Sequence, residues 1–248
     1  MGLLQKIFGK STILPPIDLG NVVTDMHSHL IPGIDDGAPD MQTVLELLEL
    51  MSKLGYKKVI TTPHVMMDLY RNNTEIIKRG EADVQAAIQQ AGIPIEFSAA
   101  AEYLVDDGLS NLLEKKDLMT LGDNYVLIEL PYYSPPPILK ELIFEMQLAG
   151  YKIILAHPER YSYWHNQFST LENLKERGLF FQINILSLSG YYSDKIRKVS
   201  QKLIDANMID FLGSDIHNLH YYKLIEKTLN EPLLHKLLNS GCLKNPEL

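Results

Sequence analysis

The chain has 248 residues, 46% apolar and 22% charged, with 31 acidic side chains against 23 basic ones and a formal net charge of −8. That length allows two small domains, but α/β barrels reach it as one domain, and the apolar content suffices for one large core. No run of Lys or Arg supplies the basic stripe that nucleic acid would need, and the single cysteine, Cys242, excludes an internal disulfide and suits a reducing compartment, the cytoplasm by default.

The first ten residues carry too short an apolar run for a signal peptide or a membrane span. Lys6 stands where a myristoylation signal needs Ser or Thr. Residues 1–20 read as a leader, weakly amphipathic at most, that frays or packs loosely, and residues 21–248 as one domain.

The first expected strand, 21–29, ends in Asp25-Met26-His27-Ser28-His29. In extended chain residues i and i+2 point the same way, so His27 and His29 aim two imidazoles at one point. Apolar residues at helical spacing predict a helix over 41–51, stopped by Gly55, before a strand over 57–62 that leads to His64. Thr74 is placed to cap a helix to about residue 90, with Gly92 as its stop. Residues 93–100 read as the third strand, with Glu102 just beyond, then a short helix over 109–116 and a fourth strand, 125–130, carrying Glu129. Pro137 suits the first turn of a helix over 138–149, ended by Gly150. A strand over 152–156 leads to His157, and a helix over 171–177 precedes strand 179–185, which holds Asn184 near its end. Ser193 caps a helix reaching residue 206. The last strand, 210–213, runs into Ser214-Asp215-Ile216-His217, and helical patterns near 221–229 and, after Pro232, 233–238 complete the chain.

Strands alternating with helices imply parallel strands with helical crossovers, either an open doubly wound sheet or a closed barrel. An open sheet gathers ligands at one switch point, whereas here nearly every strand ends in a histidine or carboxylate. Only a closed ring brings all those ends to one mouth, so the sequence predicts a distorted seven-stranded (β/α) barrel of TIM type.

An acid held by the Asp35-Asp36-Gly37 turn can fold back over that mouth. The candidate ligands are then His27, His29, Asp36, His64, Glu102, Glu129, His157, Asp215 and His217. Nine N/O donors exceed the roughly four that zinc takes or the six of an octahedral ion, so two or three ions sharing carboxylate bridges would use them all. With no thiolate, the set suits manganese, iron or zinc.

The set His27-x-His29, Asp35-Asp36-Gly37, His64, Glu102, Glu129, His157-Pro158-Glu159-Arg160 and Ser214-Asp215-x-His217 resembles the polymerase-and-histidinol-phosphatase (PHP) superfamily. Within it, Asp25-Met26-His27-Ser28-His29, Ala101-Glu102-Tyr103, His157-x-Glu159-Arg160-Tyr161 and Ser214-Asp215-Ile216-His217-Asn218-Leu219 resemble the metal-dependent protein-tyrosine phosphatases of bacterial capsule and exopolysaccharide loci, the CpsB/CapC type. The match runs in order from Asp25 to Leu219.

The resemblance implies a trinuclear metal site in a distorted barrel, manganese being the expected ion. It also implies activity on phosphotyrosine in the tail of a bacterial tyrosine autokinase. Carried over, the nine residues become metal ligands and Arg160 a phosphate-binding cation. Two departures stand out: Val65-Met66-Met67 follows His64 where some relatives carry basic residues, and His220-Tyr221 follows Leu219 in place of a nearby arginine.

The chemistry such a site supports is in-line attack on phosphorus by a water whose pKa two cations lower, while Arg160 and the metals neutralise phosphoryl charge. Cys242 lacks the downstream arginine loop of a cysteine phosphatase and is structural. Asn184 contacts either the substrate or the groups behind the ligands. Tyr132, Tyr133, Tyr161, Tyr163 and Trp164 lie in loops near the mouth, where an aromatic ring could stack on them. His165, His220 and His235 fall outside the motif and read as surface residues.

Three rivals are weighed. An amidohydrolase also opens with His-x-His but typically uses a carboxylated lysine where this chain has Glu129. A histidinol phosphatase or other PHP phosphoesterase would share the ligands and differ only in the pocket. A metal-loaded regulatory module without turnover would not need so many ligands. Nothing in the sequence excludes a homo-oligomer.

Overall fold

The computed structural model describes residues 14–248, so most of the expected leader, 1–13, lies outside the described residues. Residues 14–17 lie against the C-terminal helices: Ile17 N donates to Leu229 O at 3.0 Å and Asn230 Nδ2 to Leu14 O at 2.6 Å.

In chain order the elements are β1 (Thr24–Asp25), α1 (Met41–Lys53), β2 (Lys58–Thr61), β3 (His64–Val65), α2 (Thr74–Ala91), β4 (Glu96–Ala99), β5 (Glu102–Leu104), α3 (Asp107–Lys115), β6 (Tyr125–Glu129), α4 (Leu139–Leu148), β7 (Lys152–Ala156), α5 (Phe168–Glu176), β8 (Phe180–Asn184), α6 (Asp194–Asp205), β9 (Phe211–Gly213), α7 (Leu219–Thr228) and α8 (Pro232–Asn239). Short polar side chains start most of the helices. Asp40, Asn73, Asp106, Ser193 and Asn218 each accept a first-turn N–H, which satisfies donors that the helix itself leaves orphaned. Ser193 caps as expected. Asn73 rather than Thr74 caps α2, and the Thr74 hydroxyl instead donates to Asp117 Oδ1 at 2.6 Å.

All strand pairings are parallel, in the orders β1-β2-β4 and β3-β5-β6-β7-β8-β9. The expected strands 57–62 and 93–100 appear as β2 and β4, and each is followed by a short strand that was not expected: β3 after Thr62-Pro63, where proline has no N–H to give the ladder, and β5 after Ala100-Ala101. His64 and Glu102 therefore sit side by side on paired, offset continuations. The first strand shrinks to two residues plus a bridge between Ser28 and Ile216.

That bridge brings the last strand round to the first. Asp215 N donates to His27 O at 2.8 Å and His29 N to Ile216 O at 3.0 Å. The buried Asp25 accepts from Ser214 N at 2.8 Å and Ser214 Oγ at 2.7 Å. Side-chain alternation tells the same story: Met26, Ile60, Leu127, Ile154, Ala156 and Phe211, from strands right round the ring, pack in one cluster. Their neighbours Val126, Ile128, Ile153 and Leu155 point the other way, into the larger core beneath the helices.

Asn245, near the C-terminus and fully buried, ties the same seam. Its Oδ1 accepts from Leu212 N at 2.9 Å, and its Nδ2 donates to Leu212 O at 2.8 Å and Thr24 O at 2.9 Å. Asn245→Ala strands these backbone groups without partners and is expected to destabilise the fold by about 3 kcal/mol. Urea unfolding checks this, and an unchanged midpoint would refute the stapling role.

Candidate metal centre

Four overlapping groups of donors, each with ligand atoms within 4.8 Å of one another, converge at the C-terminal ends of the strands: His29, Asp36, His64 and His217; His27, His29 and Asp215; His27, Glu102 and His157; His64, Glu102 and Glu129. Together these are all nine residues expected from the sequence, brought in by the loops and strand ends of β1, β3, β5, β6, β7 and β9.

Glu102 sits in the middle. Its Oε2 lies 3.2 Å from His27 Nε2, 3.1 Å from His64 Nδ1 and 3.7 Å from His29 Nε2, and its Oε1 lies 3.2 Å from His157 Nε2. Glu129 Oε1 is 3.0 Å from His64 Nδ1. Asp215 Oδ1 is 3.5 Å from His27 Nε2 and 3.3 Å from His29 Nε2. The half-exposed Asp36 closes the open side, 3.5 Å from His64 Nε2 and 3.6 Å from His217 Nε2.

The arrangement fits divalent metal. His27 Nε2, His29 Nε2, His64 Nδ1, Glu102 Oε2 and Glu129 Oε1 are buried atoms without a hydrogen-bond partner in suitable geometry, although they crowd together. Lone pairs aimed at shared points, rather than N–H groups aimed at acceptors, are what a cation needs. All donors are imidazole or carboxylate, and shared carboxylates allow more than one ion.

The opposite edges of the imidazoles are held by other groups. His27 Nδ1 contacts Gln182 Oε1 at 3.0 Å, His29 Nδ1 contacts Asp35 Oδ2 at 2.8 Å and His217 Nδ1 contacts Asp215 O at 2.8 Å. With those edges donating, Nε2 is left as the ligand atom in each ring. Burial would raise the Asp35 carboxyl, but bonds from His29, Gly37 N and His64 N outweigh it and hold it down at about 2. Burial likewise disfavours charge on His27, yet the Glu102 and Asp215 carboxylates raise it to about 9 in the metal-free chain, so a cation binding there must displace a proton. At His157 burial and the Arg160 charge lower the imidazole to about 4, so it stays neutral, as a metal ligand must.

Arg160 points into the same space. Its Nη1 donates to Asp215 Oδ2 at 2.8 Å, and its guanidinium lies 5.1 Å from the Tyr132 ring centre and 4.5 Å from that of Tyr192. Asn184 is fully buried behind the ligands. Its amide donates to Asp215 Oδ2 at 2.7 Å and Tyr192 OH at 3.1 Å, so it orients a candidate ligand and does not line the cavity.

The donors floor a cavity of about 360 Å³. Tyr70 stacks on His64 at 5.5 Å, Tyr132 on His157 at 6.1 Å, and Tyr221 lies 5.4 Å from His217. Of the loop aromatics singled out in the sequence, Tyr132 lines the cavity and Tyr133 projects into solvent, 98% exposed. Tyr161 is fully buried, its hydroxyl bonded to Leu130 N and Ala156 O, and Trp164 packs in the core. His220 is exposed, whereas His165 and His235 are half-buried on the carbonyls of Glu159 and Pro15.

Tyr70, Tyr192 and Gln182 were not singled out in the sequence, and Tyr221 stood out only as a residue in place of an arginine. Only Gln182 left a signal, since it stands two residues before Asn184 on one strand and so shares its face.

The Asp35-Asp36-Gly37 turn divides its labour: Asp35 orients His29 and Asp36 faces the cluster. Gly37 makes this approach feasible, because a Cβ there would lie 2.2 Å from His29 O and 2.5 Å from His29 Cβ. Gly37→Ala is therefore expected to displace the turn and lower bound metal per chain at least severalfold. Elemental analysis of the purified variant checks this, and wild-type metal content would contradict it.

The chain is similar to tyrosine-protein phosphatase YwqE of Bacillus subtilis, 31% identical over 79% of this chain and 77% of that protein. It is 30% identical to CapC of Staphylococcus aureus over 90% of this chain and 84% of the relative. Its fold superposes with a TM-score of 0.76 on a chain from the crystal structures of YwqE from Bacillus subtilis and CpsB from Streptococcus pneumoniae, described as unique metal-dependent tyrosine phosphatases. Identity there is 29%, covering 90% of this chain and 94% of that one. An amidohydrolase from Mycoplasma synoviae, 13% identical over 93% of this chain and 88% of its own, shares the fold at a TM-score of 0.53. The model of the family "Capsular polysaccharide synthesis, CpsB/CapC" matches residues 23–227, which span every candidate ligand, and the chain belongs to that family.

Proposed function

We propose that the protein is a metal-dependent protein-tyrosine phosphatase. Its nine donors hold three divalent ions, with manganese expected, and residues 21–248 work as one domain. Its substrate is phosphotyrosine in the tail of a bacterial tyrosine autokinase that controls capsular or exopolysaccharide synthesis in the cytoplasm. The names of the relatives support the activity. The observation that carries the reading is the cavity itself, a floor of metal donors beneath Tyr70, Tyr132 and Tyr221.

When bound, divalent ions supply Lewis acidity toward phosphoryl oxygens and lower the pKa of a water enough to make it a nucleophile near neutral pH. The chain's own residues do the rest. Arg160 keeps one arm on Asp215 and has further N–H donors for a phosphoryl oxygen. The three tyrosine rings form aromatic walls suited to a phenyl ester, and the phenolate leaving group, pKa about 10, is far better than an alkoxide.

A small cationic ester such as histidinol phosphate would need a free carboxylate beside the metals. Asp35 is held by His29, and Glu159, fully buried, accepts from Asn184 N and Ser187 Oγ at 3.0 and 2.7 Å. Neither faces the cavity.

At equal metal loading, kcat/KM is expected to fall from a phosphotyrosine peptide to a phosphoserine peptide and histidinol phosphate. Activity should vanish on chelation or in His29→Ala and return to the wild type with added metal. A tenfold advantage for histidinol phosphate, about 1.4 kcal/mol, would overturn the tyrosine-phosphatase reading. Arg160→Ala should retain metal, because Asn184 still holds Asp215, but lose about 3 kcal/mol of transition-state stabilisation. Steady-state kinetics on a phosphotyrosine peptide decide this, and unchanged values would reduce Arg160 to a structural ion pair.

A further inference from the structure

A second groove, about 420 Å³, runs along α6. Lys195, Lys198 and Lys202 line it from one face of the helix, at i, i+3 and i+7, opposite Ser162, His165 and Asn166 of the loop after Arg160. No acidic side chain lines the groove. All three lysines are exposed, and among the described residues none enters an ion pair. The acids at the two ends of α6 do not neutralise the stripe: Asp205 is paired with Lys236 at 2.5 Å, and Asp194 lies outside the lining. In a chain of net charge −8 such a stripe is a local reversal of sign.

Its place matters as much as its charge. Ser162 follows Arg160 by two residues, and Ser193, which also lines the groove, directly follows Tyr192, whose ring lies 4.5 Å from the Arg160 guanidinium. The chain thus passes from residues that border Arg160 into residues that line the groove within one or two positions, and α6 packs against the Pro158–Arg160 turn. The seven helical rises from Lys195 to Lys202 cover about 10 Å, the length of roughly three residues of extended peptide.

We propose that this groove receives an acidic segment flanking the phosphotyrosine of a polypeptide substrate, aligned by Lys195, Lys198 and Lys202. This rests on the phosphatase reading, with the site's chemistry unchanged and the lysines selecting among phosphotyrosines. Isolated exposed ion pairs are weak, but several in register steer encounter and set orientation, and salt screens them.

The test compares metal-loaded wild type with Lys198→Glu/Lys202→Glu on three probes: p-nitrophenyl phosphate, a phosphotyrosine peptide flanked on both sides by three glutamates, and the same peptide with glutamines. Wild type should show a KM for the glutamate peptide about fivefold below that for the glutamine peptide at low salt, a gap that closes as ionic strength rises. The variant should lose or invert that preference while hydrolysing p-nitrophenyl phosphate like wild type. Equal KM values for both peptides in wild type, or a preference that survives charge reversal, would overturn the proposal and leave the phosphatase intact. Binding of phosphatidylserine vesicles that depends on the lysines, with no peptide preference, would reassign the stripe to a membrane surface. Failure of metal-loaded wild type to hydrolyse any of the three esters would overturn the phosphatase reading and the groove's role with it.

Discussion

Glu102 is a carboxylate with no exposure to solvent, and the mouth of the ring is arranged around the need to match its charge. Burying an unpaired carboxylate costs several kcal/mol. Burial alone would raise Glu102, but His27 and His64 outweigh it and hold the group well below the ordinary carboxylate range. Four imidazoles from three separate segments therefore have a shared reason to be where they are. The backbone makes room for this by breaking two neighbouring strands at one level, Thr62-Pro63 and Ala100-Ala101, so that His64 and Glu102 pair in register above the apolar ring interior.

Backbone strain also occurs within this cluster. His157 and Asp215 adopt φ of 35° and 51°, a left-handed region that costs a non-glycine residue about 1–3 kcal/mol. Both turn their side chains back over the strand ends instead of continuing the strand. Asp215 is fixed by Arg160 and Asn184 on one oxygen and faces His27 and His29 with the other. A group buried among so many partners can hold a conformation that an isolated turn would abandon.

The convergence of the nine donors was legible because strand periodicity and strand ends are written locally: His-x-His needs only the two-residue repeat, and a histidine or acid after each apolar run needs only the ring. The continuations β3 and β5 were not legible, because strands of two and three residues beyond Pro63 and Ala101 are too short to show a periodic pattern. Asp36 was readable from its glycine turn, while the bond of Asp35 to His29 depends on how that turn folds back. Tyr161 read as rim and is core, because a loop aromatic carries no sign of whether its hydroxyl will find Leu130 N and Ala156 O. Asn184 stood out at its strand end, but its partners Tyr192 and Asp215 come from other segments, and no local pattern names them.

A division of labour follows. The floor, made of strand ends, can change little without stranding a buried charge, so it sets the chemistry. The rim is made of loops and short 3-10 turns whose side chains meet solvent, so it is free to choose the substrate. Arg160 stands between the two, with Asp215 on the floor and Tyr132 and Tyr192 on the rim sharing its guanidinium. A ring of parallel strands with ligands at its mouth serves many reactions, and the fold alone does not select among them. Here the selection falls to what borders Arg160: the aromatic walls on one side of it and the lysine-lined groove on the other.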